Sequence, residues 1–239
     1  MRRTYHRWFS PSLGRDMELL VFGHAGARVL AFSASMHPFY DWEDRGLVAS
    51  LRWHLDNGHL QLFCVDQVDR ESWYGHHLAP AQRALRHLQY EKYLLDEVIP
   101  FTLRENPNPF LIAAGPSFGA YHAATLAFRH PHLFGRLLGM SGIFDITRFT
   151  DGYHDETVYL HNPIDFLANE HDPARIAALK RLDVILMVGR HDPLLEQNER
   201  LSTILWDKDV WHALRIWDGF AHDWPTWARV LPLYVGGHE

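Results

Sequence analysis

The stretch Phe110-Leu-Ile-Ala-Ala-Gly-Pro-Ser-Phe-Gly-Ala-Tyr-His-Ala-Ala-Thr-Leu126 constrains this chain more than any other. A short apolar run leads into Gly115-Pro116-Ser117-Phe118-Gly119, and an alanine-rich segment at helical spacing follows. That pattern predicts a strand, a sharp turn with a serine at its apex, and a helix. Gly115 and Gly119 leave room where strand and helix approach closely, since neither carries a Cβ. Pro116 fixes its own φ and biases Gly115 toward extended backbone, as the end of a strand requires. Ser117 then opens a helix whose N-terminal N–H groups favour negative charge nearby.

The surrounding 239 residues suit one α/β domain with a core large enough to need no staples. A net charge of −6 and the lack of a long basic run give no support to nucleic-acid binding. No apolar run approaches membrane-spanning length, and the basic N-terminus lacks the apolar core of a signal peptide, so a cytoplasmic location is expected. Cys64, the only cysteine, falls in an apolar run and is expected to be a buried structural thiol. The 18 histidines show no metal-ligand spacing, so no metal and no cofactor are expected.

In order, Tyr5–Phe9 reads as an edge strand. Met17–Phe22 and Arg28–Phe32 read as a hairpin around Gly23–Ala27. Asp41 to about Asn57 has a helical pattern, and Leu60–Val65 that of a buried strand. Ala79 to about Leu103 predicts a long helix interrupted near Pro100. After the serine-bearing unit come strands at Leu137–Ser141, Asp183–Val188 and His212–Trp217. Helices follow the last two, at Glu196–Asp207 and Trp224–Tyr234. Residues 142–181 exceed a simple crossover, with two short helical patterns, and suggest a lid or binding insertion. The whole predicts a mostly parallel, doubly wound sheet with antiparallel N-terminal strands and helices on both faces.

Serine needs a base to become a nucleophile, and the base needs an orienting group. Strand-end loops of this chain carry Ser117, then Asp192, then His222, which is the order of the triad in the α/β-hydrolase fold. His222 is the candidate base and Asp192 the candidate acid. Glu196 and Asp223 are rival acids, but Glu196 opens a helix and Asp223 is placed to cap one. An oxyanion hole would use the Phe118 N–H and a second N–H from Ser35 or Met36, in the loop after Arg28–Phe32. Trp73, Tyr74, Phe144, Tyr153 and Trp224 are candidate substrate-binding aromatics, together with Phe118.

Three segments carry a resemblance: Gly115-Pro-Ser-Phe-Gly-Ala-Tyr-His122, Val188-Gly-Arg-His-Asp-Pro193 and Trp217-Asp-Gly-Phe-Ala-His-Asp-Trp224. In them the chain resembles the putative esterase (esterase D-like) group of α/β hydrolases, which includes feruloyl esterases, enterochelin esterases and mycolyltransferases. The likeness extends from about Val29 to the C-terminus. It departs from the group at Ser33-Ala-Ser-Met36 and at the proline before the serine. The resemblance implies an α/β-hydrolase fold and a cofactor-free serine esterase acting on a small-molecule ester through an acyl-enzyme, with Ser117, Asp192 and His222 as its triad. The alternatives are an acyltransferase using the same acyl-enzyme and, further off, a non-catalytic binding protein of this fold.

Overall fold

The computed structural model describes residues 1–237. Gly14, at φ 65°, reverses the chain near its start, and its N–H donates to the Ser10 carbonyl at 2.8 Å. The strands on either side, β1 (Arg3–Ser10) and β2 (Arg15–Phe22), pair antiparallel along their whole length. Six further strands follow among the described residues: β3 (Ala27–Phe32), β4 (Leu60–Val65), β5 (Leu111–Pro116), β6 (Arg136–Met140), β7 (Asp183–Gly189) and β8 (His212–Trp217). They form one sheet in the order β1-β2-β4-β3-β5-β6-β7-β8. β2 meets β4 antiparallel, and every pairing from β4 to β8 is parallel.

The expected β2–β3 hairpin does not form, because β4 stands between the two strands. From Arg28 onward β3 is buried on both faces, as suits a strand of the parallel part of the sheet, and it pairs parallel with β4 and β5 rather than antiparallel with β2. Gly23 and Gly26, at φ 87° and 90°, carry the chain past the start of β4 instead. Gly26 passes so near the His59 backbone that a Cβ would fall under 3.0 Å from it.

The helical pattern from Asp41 resolves into three short helices, α1 (Asp41–Asp44), α2 (Leu47–Ser50) and α3 (Arg52–Asp56). Left-handed Gly46, at φ 83°, breaks the first from the second. The long helix, α4 (Pro80–Tyr93), runs through a widened turn at Leu94–Val98 into α5 (Ile99–Glu105). Pro100 lacks an N–H and crowds the preceding turn, and the widening absorbs both defects without ending the helix. The serine-bearing helix is α6 (Phe118–Arg129). The insertion holds three α-helices rather than two helices, α7 (Glu156–Leu160), α8 (Pro163–Ala168) and α9 (Pro173–Leu179), after a 3-10 turn at Thr147–Phe149. The chain ends with α10 (Leu195–Asp207) and α11 (Trp224–Tyr234).

Alternation along the parallel strands divides the core in two. Leu111, Ala113, Leu137, Val184 and Leu186 face α4, α6, α8 and α10. Ile112, Ala114, Leu138, Ile185 and Met187 face α1–α3 and α11. Cys64 lies fully covered on the second side, where burial pushes its thiol pKa up. Among the described residues no helix is long and apolar enough to cross a membrane.

The site depends on how closely β5, α6 and β3 approach. A Cβ on Gly115 would fall under 3.0 Å from the Gly119 backbone, and one on Gly119 under 3.0 Å from the Phe32 and Ser33 carbonyls. Backbone on both sides leaves no flexible side chain to give way. Gly119→Ala is therefore expected to destabilise the fold by roughly 1–3 kcal/mol, the usual range for overpacking, read as a lowered urea midpoint. An unchanged midpoint would mean that α6 can move away from β3 freely.

Candidate active site

The site is built where β3, β5, β6, β7 and β8 end. Ser117 lies between β5 and α6 with φ 54° and ψ −117°, a conformation that L-residues rarely adopt. Its N–H donates to the Met140 carbonyl of β6 at 2.7 Å, which pins the turn to the neighbouring strand. The side chain is thereby held at the sheet's C-terminal edge while the residue stays 8% exposed.

His222 arrives from the loop after β8. Its Nδ1 lies 2.9 Å from Asp192 Oδ2 and 3.1 Å from Oδ1, and its Nε2 lies 3.2 Å from Ser117 Oγ. An ionised carboxylate only accepts, so the Nδ1 must carry the proton, leaving the Nε2 lone pair toward the serine hydroxyl. Trp227 of α11 packs against the imidazole at 5.2 Å between ring centroids, and Phe220 lies at 5.8 Å on another side.

Asp192 sits directly after β7 with its side chain buried. Burial pushes its carboxyl pKa up, but hydrogen bonds from His222 and the Leu194 N–H outweigh that and hold it below the usual carboxylate range. Glu196 is exposed in the first turn of α10. Asp223 caps α11, accepting from the Thr226 N–H at 2.8 Å. Both rivals thus occupy the ordinary roles expected of them.

Ser141, at the end of β6, has no motif to mark it in the sequence. Its hydroxyl donates to the Ala221 carbonyl at 3.1 Å and accepts from the Trp227 indole at 3.2 Å, so it supports the His222 loop from beneath. Of the six non-glycine residues with positive φ among those described, Met36, Ser117, Ser141 and Ala221 all stand in these strand-end loops. Such conformations cost of order 1–3 kcal/mol each and persist where surrounding structure imposes them.

Phe118 opens α6, so its N–H has no helical acceptor and is free to donate toward the space beside Ser117. Opposite lies the loop after β3, where the Met36 N–H donates to Asp69 Oδ2 at 2.8 Å. Met36 is therefore already committed and is corrected as an oxyanion donor. Ser35 takes a hydrogen bond on its side chain, from the Tyr74 hydroxyl at 2.7 Å.

The aromatic candidates separate by burial. Trp73 is 0% exposed, its indole donating to the Tyr121 hydroxyl, and Phe144 is 0% exposed in the main core. Neither has surface to offer a substrate, because each ring is packed wholly into the interior. Tyr74 packs edge-on against Phe118 at 5.0 Å and near Phe149 at 4.9 Å. Tyr153 is partly exposed and donates to Asp155, while Trp224 stacks edge-on against Trp227 and lies beside His37. A groove of about 370 Å³ adjoins the β3 loop and is lined by Met36, His37, Tyr40, Asp66, Asp69 and Arg70, among others.

An open α/β sheet with a serine, histidine and aspartate in contact at its strand ends defines an α/β-hydrolase-type protein. The Putative esterase family model matches residues 64–232, and the chain belongs to that family, as a carboxylic ester hydrolase. No curated protein matches it in sequence. Among solved structures it is similar to a ferulic acid esterase, with a TM-score of 0.77 at 18% identity, covering 98% of this chain and 96% of that one. It is also similar to an S-formylglutathione hydrolase from Agrobacterium tumefaciens (TM-score 0.75, 14% identity, 98% and 93% covered). A third likeness is to one from Staphylococcus aureus (0.69, 16%, 98% and 97%). At these identities the likeness is one of fold.

Two outcomes follow from the geometry. Asp192→Asn keeps the shape but presents His222 with the wrong partner, and kcat/KM is expected to fall about 10⁴-fold. Glu196→Gln and Asp223→Asn should stay near wild type, since Asn caps a helix as well as Asp. Steady-state kinetics of the three at pH 8 decides, and a dead Glu196→Gln enzyme would reverse the assignment. The second concerns Asp66 in the groove, whose pKa burial raises from 3.8 to about 6. Between those values the folded state binds the extra proton, so stability falls as pH rises through the window. Asp66→Asn removes that penalty and should stabilise the protein by about 2–3 kcal/mol at pH 8 but not at pH 4. Urea unfolding at the two pH values tests it, and an equal effect at both would exclude a buried charge.

Proposed function

We propose that Ser117, His222 and Asp192 are a catalytic triad that hydrolyses carboxylic esters through an acyl-enzyme. The observation that carries this reading is His222 itself, with one ring nitrogen 3.2 Å from Ser117 Oγ and the other 2.9 Å from Asp192. In the forward step the Ser117 oxygen bonds to the ester carbonyl carbon as its proton passes to His222 Nε2. Asp192 holds the imidazole in its tautomer and stabilises the imidazolium. The tetrahedral oxyanion takes hydrogen bonds from the Phe118 N–H and, with Met36 committed elsewhere, from the Ser35 N–H. The carbon–oxygen bond to the leaving alcohol then breaks, with the proton returned from His222. Water, deprotonated by the same imidazole, releases the acid and restores the serine.

The strained backbone at Ser117 supports this assignment, since an ordinary solvated serine has no reason to be held there. Half-exposed Phe220, beside His222, and the partly covered ring of Trp224 favour an ester with an apolar or aromatic group near the scissile bond. Tyr74 and Tyr153 belong to the other wall, around Phe118 and Phe149. The ester itself is a small molecule.

Ser117→Ala is expected to lose turnover of p-nitrophenyl esters by on the order of 10⁴–10⁶-fold while its thermal unfolding stays close to wild type. Retention of more than about a tenth of the activity, set against the 10⁴-fold loss a triad serine implies, would reject the nucleophile. Because the base must be unprotonated, kcat/KM should also fall toward acid pH. A profile flat down to about pH 4.5, where an ordinary histidine is almost wholly protonated, would remove histidine from the base role.

A further inference from the structure

The two sides of the hole come from separate segments, and one buried carboxylate joins them. Asp69 follows β4 in a single 3-10 turn, Asp69–Glu71, and is 1% exposed. Its Oδ1 accepts from His122 Nε2 at 2.8 Å, and its Oδ2 accepts from the Met36 N–H, also at 2.8 Å. His122 lies on α6, five residues after the nucleophile, with its ring edge-on to Phe118 at 5.0 Å between centroids. Met36, in the β3 loop, is held at φ 58°. The bridge therefore runs from the helix that opens with Phe118 to the loop that carries Ser35, the two proposed sources of oxyanion donors.

We propose that Asp69 is a positioning residue of this esterase, setting the oxyanion loop against the nucleophile helix through Met36 on one side and His122 on the other. The inference rests on the serine-esterase reading above and adds to it. A fully buried carboxylate is tolerated only with its oxygens satisfied, and both partners here are N–H donors fixed by their own elements. The peptide that donates to Asp69 carries the Ser35 carbonyl and the Met36 N–H, so this bond, with Met36 held at φ 58°, fixes the course of the loop immediately after Ser35. The same segment of chain secures the rest of the loop. Gln67 Nε2 donates to the Ala34 and His37 carbonyls at 2.8 and 2.9 Å, and Tyr74 holds Ser35. An oxyanion hole works when its donors are in place before charge develops, so a loosened loop costs transition-state binding more than substrate binding.

Wild type, Asp69→Ala, Asp69→Leu, Asp69→Asn and Ser117→Ala are compared on p-nitrophenyl acetate. Active sites of the proteins that keep Ser117 are counted by fluorophosphonate labelling carried to completion, so that misfolded protein does not enter the rates, and Ser117→Ala is compared per folded chain. In Asp69→Ala and Asp69→Leu, kcat per labelled site is expected to fall about 10- to 100-fold with KM within about threefold, somewhat less than direct loss of a donor. Asp69→Asn can still accept from Met36 and can donate to His122 once the imidazole changes tautomer, so its kcat should stay within about fivefold of wild type. Several results overturn the proposal: a non-accepting variant with kcat within about threefold of wild type, a loss carried by KM alone, or an Asn variant as poor as the Ala or Leu variant. If neither of those yields labelled sites, the Asn variant decides alone, and a fall beyond a hundredfold overturns the proposal. Ser117→Ala separates the two levels of the reading. If it is inert while Asp69→Ala is fully active, only the positioning role fails; if it turns over normally, the serine mechanism fails and the positioning role with it.

Discussion

The site depends on the absence of two Cβ atoms. β5 can hand the chain to α6 in a single strained residue only if strand, helix and the end of β3 come within backbone contact. Gly115 and Gly119 are the positions where any side chain would collide with that backbone. Close approach places the first N–H groups of α6 beside the serine hydroxyl and brings the β3 loop opposite them. A serine at the same place in a looser turn would be an exposed hydroxyl with no donors around it.

Strain elsewhere in the site follows the same logic. Met36, Ser117, Ser141 and Ala221 sit in left-handed conformations at four different strand ends, each tied by a specific bond: to Asp69, to Met140, to Met187 and, through its carbonyl, to Ser141. The local conformations are unfavourable, and the sheet's core is what maintains them. Two apolar layers on opposite faces, divided by the alternation of each strand, hold the strand ends rigid enough that loops from β3, β6 and β8 meet the β5 turn in register. Rigid support of this kind lets three side chains far apart in sequence hold hydrogen-bond distances.

Charge is handled by burial with pairing. Asp192 is covered, yet its carboxyl stays ionised because His222 and a backbone N–H outweigh the desolvation. Asp69 is buried with each oxygen hydrogen-bonded, one to an imidazole and one to an amide. Asp66, a few residues away, has less to accept from, and burial lifts its pKa to about 6. The contrast marks how few well-aimed donors separate a buried charge that is useful from one that is merely a burden.

Much of this was legible in the chain itself. The glycine-flanked serine between an apolar run and an alanine-rich helix announced its turn, because only one backbone path suits those residues. Asp192 and His222 were legible because each follows an apolar run that must be a strand, and the rival carboxylates stood at helix starts. Strand pairing was not legible between β2 and β3, since adjacency in sequence favours a hairpin and only the assembled sheet inserts β4 between them. Burial likewise decided the aromatics, because a sequence lists Trp73 and Phe144 beside polar residues without showing which way they turn. Met36, Asp69, His122 and Ser141 belong wholly to the tertiary structure. Their roles depend on contacts between loops brought together by parallel strands, and no local pattern records a hydrogen bond across more than thirty residues.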